Sequence, residues 1–323
     1  MGIKRKGAKM KGKNLSWKKF LVIMGILLLV GAFLGGTAFA AEKIVLKKYP
    51  NLKVGFTTAN FLRVLPVTLE NTNKLIDFAS DQGFTWIELR DPNAVLTLDE
   101  CKKIADYARG KQIGVAYAMA VGLMDANFEE VFSRGLANAA VFEGPRTARA
   151  SCGGNEFNLD PKKTAWTLAE LNILVTAANK AANQAKAMGL KYATENANEV
   201  IKGDGVTSFG ITEFFANVNS NVGLQFDTAN FHCVSRVWTK PEDARAFLEK
   251  YIGKLAYIHL KSSSPEHKPL PILGENELDF NIILDLMAKN KVPWVAIELA
   301  QAGTIEECFD NHKKSIEFLK KNY

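Results

Sequence analysis

Histidine and cysteine are both scarce, with four of each in 323 residues. Cys101, Cys152, Cys233 and Cys308 lie far apart and form no Cys-x-x-Cys pair, which excludes a zinc knuckle; they read as buried free thiols. No cysteine follows the apolar run near the N-terminus, so a lipid-anchored lipoprotein is excluded. Acidic residues are missing from the first 41 positions, which carry eight basic ones. The remainder holds 33 basic and 34 acidic residues, so the formal charge of +7 belongs to the leader. A body this close to neutral lacks the basic face that nucleic-acid binding needs. No Gly-x-Gly-x-x-Gly follows the first strand-like run, which argues against an open dinucleotide-binding sheet.

The leader itself has a recognisable order. Basic residues from Lys4 to Lys19 precede an uncharged, mostly apolar run from Phe20 to about Leu34, and Ala38-Phe39-Ala40 then offers a small-x-small cleavage pattern. This predicts a signal peptide over residues 1–40 and a mature domain over 41–323. The alternative is an uncleaved anchor, since Phe20–Ala41 is just long enough to span a bilayer. Either way the domain is expected outside the cytoplasm, periplasmic or extracellular, with membrane contact only through an uncleaved leader.

Beyond the leader, short apolar runs alternate with helical patterns. The strands are read at Lys53–Phe56, Trp86–Leu89, Ile113–Met119, Ala139–Phe142, Lys191–Glu195, Val222–Asp227, Leu255–His259 and Trp294–Leu299. Helical patterns follow each, including Leu69–Gln82, Leu98–Gly110 and Asn127–Asn138. A long loop is expected over Glu143–Asp160. After it, Asp160 caps an alanine-rich helix that starts at Pro161 and runs to about Met188. Eight such units in about 275 residues predict an α/β chain closed into a (β/α)8 TIM barrel, whose usual size is roughly 250 residues.

The last four strands each end in a metal-ligating residue: Glu195, Asp227, His259 and Glu298, separated by 32, 32 and 39 residues. In a barrel the carboxyl ends of the strands converge on one face. One such acid alone is more often a helix cap or a surface ion pair. Four at the same place in successive units make a set of three oxygens and one nitrogen, suited to Mn²⁺, Mg²⁺ or Co²⁺, with Zn²⁺ also open.

These motifs are similar to those of the xylose isomerase-like TIM barrel superfamily, the sugar phosphate isomerase/epimerase group. The resemblance is carried by Thr194-Glu195-Asn196, Gly223-Leu-Gln-Phe-Asp227-Thr, Tyr257-Ile-His259-Leu-Lys261, Ala296-Ile-Glu298, the Pro271–Phe280 loop and Gly83-Phe-Thr-Trp-Ile-Glu88. It implies that Glu195, Asp227, His259 and Glu298 bind the metal, Mn²⁺ first. It also implies that Glu195 and Glu298 move protons next to a substrate carbonyl, through a metal-stabilised enediolate. Isomerisation or epimerisation of a sugar or keto-sugar follows from that chemistry. A lyase or dehydratase acting on a keto-glycoside or inosose would use the same site, and a non-catalytic exported sugar-binding barrel is the non-enzymatic alternative. The endonuclease IV branch is disfavoured, because its three zinc ions require more histidines than His232, His259, His267 and His312.

Four further residues are candidates for substrate binding. Asn230 stands where many sugar epimerases of the group have histidine, and a histidine comes two positions later, at His232, either facing the pocket or packing beside it. Glu88 either reaches substrate or forms a buried salt bridge with Arg90 or Arg63, and Lys261 either contacts a substrate oxygen or sits on the rim. Arg146 and Arg149, placed on the long fourth loop, either meet an anionic group or are solvated.

Overall fold

In the computed structural model, residues 41–153, 165–196, 204–230, 241–266, 268–274 and 279–323 are described. The expected leader lies outside these residues, as do His232, Cys233 and His267. Among the described residues, no helix is long and apolar enough to cross a membrane.

The eight strands are β1 (Lys53–Thr57), β2 (Trp86–Arg90), β3 (Gly114–Gly122), β4 (Thr147–Ser151), β5 (Lys191–Glu195), β6 (Val222–Asp227), β7 (Leu255–Leu260) and β8 (Trp294–Ile297). They pair in sequence order, all parallel, and β8 closes on β1. The expected barrel is therefore present. The helices between the strands are α1 (Leu69–Asp81), α2 (Leu98–Gly110), α3 (Phe128–Ala140), α4 (Leu168–Ala187), α5 (Ile211–Asn217), α6 (Pro241–Tyr251), α7 (Phe280–Lys289) and, after β8, α8 (Ile305–Asn322). Several starts follow from sequence. Thr97 and Thr167 form capping boxes with Glu100 and Glu170, and Thr68, Asp279 and Thr304 each accept a backbone N–H of the first turn.

Two expectations are corrected. The fourth strand is not Ala139–Phe142, because α3 runs on to Ala140 and β4 is Thr147–Ser151, inside what reads as loop. The helix expected to run unbroken to about Met188 is interrupted, since residues 165–167 are not helical. Asp160 and Pro161 lie outside the described residues, and the chain enters α4 only at Leu168, after Trp166 has bridged to Phe209. The capping box of Thr167 with Glu170 sets the start of α4.

The barrel interior is packed, not open. Trp86, Ala116, Ala193, Tyr257 and Ala296 form an apolar cluster of their own, distinct from the larger core between sheet and helices. The three alanines leave room for two large rings, Trp86 and Tyr257, which meet edge-on with centroids 5.7 Å apart. Trp86 Nε1 donates to Lys53 O at 2.9 Å. Gly55 on β1 permits this packing, since a β-carbon there would lie 2.4 Å from Trp86 O and 2.7 Å from the indole. Outside the sheet, α8 buries His312 against Phe61, with ring centroids 5.1 Å apart. The imidazole Nε2 lies 3.1 Å from Asn60 Nδ2, and Nδ1 lies 2.7 Å from Cys308 O. Cys101, Cys152 and Cys308 are buried, as expected.

Candidate metal centre

The carboxyl ends of β5 to β8 bring the four candidate ligands together. Glu195 and Asp227 are the last residues of β5 and β6, His259 is the penultimate residue of β7, and Glu298 follows β8 directly. One potential ligand atom from each lies within 4.8 Å of the others. Asp227, His259 and Glu195 are almost fully buried.

Each ligand is held by one atom and presents another. Asp227 Oδ1 accepts the backbone N–H groups of Ala229 and Asn230, at 2.8 and 2.9 Å. Asn196 clamps the Asp227 backbone from both sides, accepting its N–H at 2.6 Å and donating to its carbonyl at 2.9 Å. That leaves Asp227 Oδ2 buried with no hydrogen bond. His259 Nε2 lies 3.0 Å from Glu88 Oε2. With Nε2 donating to that carboxylate, Nδ1 is the nitrogen left to a cation once its own proton is displaced, and it faces Glu195 Oε1 at 3.8 Å, Asp227 Oδ2 at 4.0 Å, and Glu298 Oε2 closer still. His259 Nδ1 and Glu298 Oε2 are also buried and are paired with each other. A buried oxygen left as bare as Asp227 Oδ2 is rare. These three atoms, converging with an oxygen of Glu195, fit a divalent cation with an oxygen-rich shell.

The basic side chains flank this cluster instead of filling it. Lys261 Nζ donates to Glu298 Oε1 at 2.7 Å and to Asn230 Oδ1 at 3.2 Å, and stands 3.5 Å from Asp227 Oδ2. Arg149 pairs with Glu195 Oε2, while Glu195 Oε1 accepts Asn230 Nδ2 at 3.0 Å. The cations thus take the outward oxygens of Glu195 and Glu298 and leave one oxygen of each inside.

The electrostatics reflect crowding in a buried space. Burial pushes the Asp227 carboxyl up to about 7; the charges of Glu298 and Glu195 add to this and Lys261 opposes it. Burial alone would lower the His259 pKa, but Glu88 and Glu298 hold the ring up at about 10. Burial would raise the Glu298 carboxyl, yet Lys261 and His259 keep it well below the usual range. Lys261 is raised despite its burial, chiefly by Asp227 and Glu298, and stays charged.

Glu88 belongs to the cluster, but as a support. Its oxygens accept Thr57 Oγ1 at 2.8 Å and Tyr257 Oη at 2.6 Å, besides the His259 ring and an Arg90 contact at 3.4 Å. This favours the buried ion-pair alternative over a substrate contact. Asn230 and Lys261 line the centre, whereas His232 lies outside the described residues. Arg149 is on β4 and not on a loop, and points at Glu195. Arg146 donates to the carbonyls of Ala140, Phe142 and Met188, away from the centre. The Arg149–Glu195 and Tyr257–Glu88 contacts span 46 and 169 residues, so no local signal in the sequence announces either. A separate cavity of about 780 Å³ lies at the opposite end of the barrel, beside Lys53, Thr85, Gly114 and Trp294 where strands begin, and holds none of these residues.

The fold has counterparts among known proteins. The model of the xylose isomerase-like TIM barrel family matches residues 76–322. Among solved structures, D-psicose 3-epimerase from Clostridium cellulolyticum H10 in complex with D-tagatose is 14% identical, with a TM-score of 0.61 over 84% of this chain and 99% of that one. A xylose isomerase-like TIM barrel protein from Mycobacterium smegmatis, in complex with magnesium, is 16% identical, with a TM-score of 0.58 over 84% and 97%. The IOLI protein with a bound zinc atom is 16% identical, with a TM-score of 0.59 over 84% and 99%. No curated protein sequence matches the chain.

Proposed function

The chain belongs to the xylose isomerase-like TIM barrel family, and from that premise we propose that it is a divalent-metal-dependent isomerase or epimerase of a sugar or keto-sugar. The observation that carries the proposal is the convergence of Glu195, Asp227, His259 and Glu298, one ligand atom from each within 4.8 Å of the others, with Asp227 Oδ2 buried and bare among them. Glu195, Asp227, His259 and Glu298 would hold the ion. When bound, it supplies Lewis acidity to adjacent substrate oxygens and so acidifies the neighbouring C–H. Mn²⁺ is the first choice, with Mg²⁺, Co²⁺ and Zn²⁺ able to use the same donor set.

The protein's own groups then have distinct tasks. Glu195 and Glu298 come from strands separated by β6 and β7, so they approach a substrate carbon from different directions. One removes a proton and the other returns it, to the opposite face for epimerisation or to the neighbouring carbon for isomerisation. Arg149 on Glu195 and Lys261 on Glu298 keep these carboxylates oriented. Lys261 remains charged and fits a role in stabilising negative charge on a substrate oxygen. The buried Tyr257 and Trp86 close the floor beneath the site and exclude water from below.

The basic and apolar leader supports a location outside the cytoplasm, where unphosphorylated sugars are the expected substrates. Solvent deuterium exchange into a panel of aldoses, ketoses and 3-keto-glycosides tests the function. Exchange should vanish after chelation and return with Mn²⁺ or Co²⁺. Exchange that survives chelation would rule out the metal mechanism, and tight sugar binding without exchange would assign a receptor instead.

A further inference from the structure

Arg90 has no assigned task in the scheme above. It is the last residue of β2, where Trp86, Glu88 and Arg90 alternate onto the barrel's inner face, and it stands one step above Glu88 towards the mouth of the site. Its side chain is only 10% exposed, yet among the described residues the guanidinium makes no hydrogen bond. Nε is buried and unpartnered. The one charged contact, from a terminal nitrogen to Glu88 Oε1, is 3.4 Å long, and that oxygen already accepts Thr57 Oγ1 at 2.8 Å. A guanidinium kept only to neutralise Glu88 would dock on it with paired short bonds. Arg90 instead stands off with most of its five donors unused. Its charge reaches across the centre, since it helps to hold the Glu298 carboxyl down.

The charge balance points the same way. Among the described residues around the centre, the carboxylates Glu88, Glu195, Asp227 and Glu298 outnumber the cations Arg90, Arg149 and Lys261 by one. The protonated His259 ring balances that difference, and a divalent ion that displaces its proton would leave a single positive charge, in a buried space where an unbalanced charge is costly. A neutral sugar leaves it unbalanced, and an anionic one cancels it.

We propose that Arg90 is a substrate-binding residue, and that the substrate carries an anionic oxygen-rich group, a carboxylate or a phosphate, which the guanidinium grips in a two-pronged fashion. This rests on the metal-centre reading and narrows its substrate class to anionic sugars, sugar acids before sugar phosphates because unphosphorylated substrates are expected outside the cytoplasm. The planar fork of arginine matches either group, and a lysine at this position would not reproduce the paired geometry.

Calorimetric titration of the protein purified from an exporting host, with and without Mn²⁺, tests the assignment. D-Glucuronate and D-galacturonate form one arm, D-fructose 6-phosphate a second, and D-glucose, D-galactose and D-fructose a neutral third. At least one anionic arm should bind tenfold or more tightly than the neutral sugars, and which arm does so identifies the group. Arg90→Gln should abolish that preference while leaving Mn²⁺ affinity within about threefold, and Arg90→Lys should recover only part of it. Circular dichroism checks that both variants fold, and where Arg90→Gln does not, the wild-type preference and its partial loss in Arg90→Lys decide. Equal binding of anionic and neutral sugars, no binding of either anion, or a preference retained by a folded Arg90 variant overturns the proposal. Failure to bind Mn²⁺ would instead count against the metal centre, and the titrations run without metal would still decide on Arg90.

Discussion

Replacing Glu88 by Gln separates the role of a support from that of a ligand. Glu88 is fully buried and lies behind His259, where its Oε2 accepts the ring N–H at 3.0 Å. It is therefore what turns Nδ1 towards Glu195, Asp227 and Glu298 and keeps it the nitrogen that gives up its proton to a cation. A glutamine is nearly isosteric, but its amide can donate to Nε2. The ring can then place its proton on Nδ1 and lose its capacity to bind a cation there. Loss of such an outer partner costs roughly ten- to a hundredfold in metal affinity, or about 1.4–2.7 kcal/mol. A second cost arises from Arg90, which loses its 3.4 Å carboxylate contact and lowers fold stability as a partly unpaired buried cation. Tyr257→Phe removes another partner of the same carboxylate, at 2.6 Å, without touching the histidine, and should cost about 1 kcal/mol of stability while changing metal affinity far less. Competition with a fluorescent chelator measures the first effect and urea unfolding the second. A Glu88→Gln variant that binds Mn²⁺ as tightly as wild type would refute the claim that Glu88 sets the histidine's ligand face.

Three further outcomes are expected. Because Glu88 and Glu298 hold His259 up at about 10, the ring is protonated at neutral pH, and a cation at Nδ1 must displace that proton. Metal loading at pH 8 should therefore release about one proton in an unbuffered titration, and affinity should climb with pH until the ring's own pKa is passed; a pH-independent affinity would contradict this. His312 is buried neutral, with burial depressing its pKa to about 4 from 6.5, so its contribution is intact above 6.5 and lost as pH falls from 6.5 through 4. The loss is on the order of 3 kcal/mol, and His312→Asn should flatten the dependence of the urea midpoint on pH in that window. Gly55→Ala forces a β-carbon against Trp86 at 2.4 Å and should destabilise the barrel by about 1–3 kcal/mol in the same assay; a neutral result would mean that β1 yields more easily than its packing suggests.

The parts of the site legible in the sequence are those with local period and order. β5 to β8 are compact apolar runs, and each ends at or beside an ionisable residue. The same logic failed at β4. Its sequence, Thr-Ala-Arg-Ala-Ser, has no β-branched or aromatic run, and its central inward residue is charged because Arg149 serves Glu195. The apolar Ala-Val-Phe stretch that looks more like a strand is instead the end of α3 and the turn after it. Tertiary pairing overrode local propensity there. Glu88 was legible as a buried acid but not as the partner of His259, since that contact spans 171 residues and depends on closure of the barrel.

The most direct test of the centre is anomalous scattering from crystals grown with Mn²⁺. The expected result is one strong peak within bonding distance of Glu195, Asp227, His259 Nδ1 and Glu298. A peak at other residues, or Lys261 Nζ occupying the position among those four side chains with no manganese bound, would contradict it.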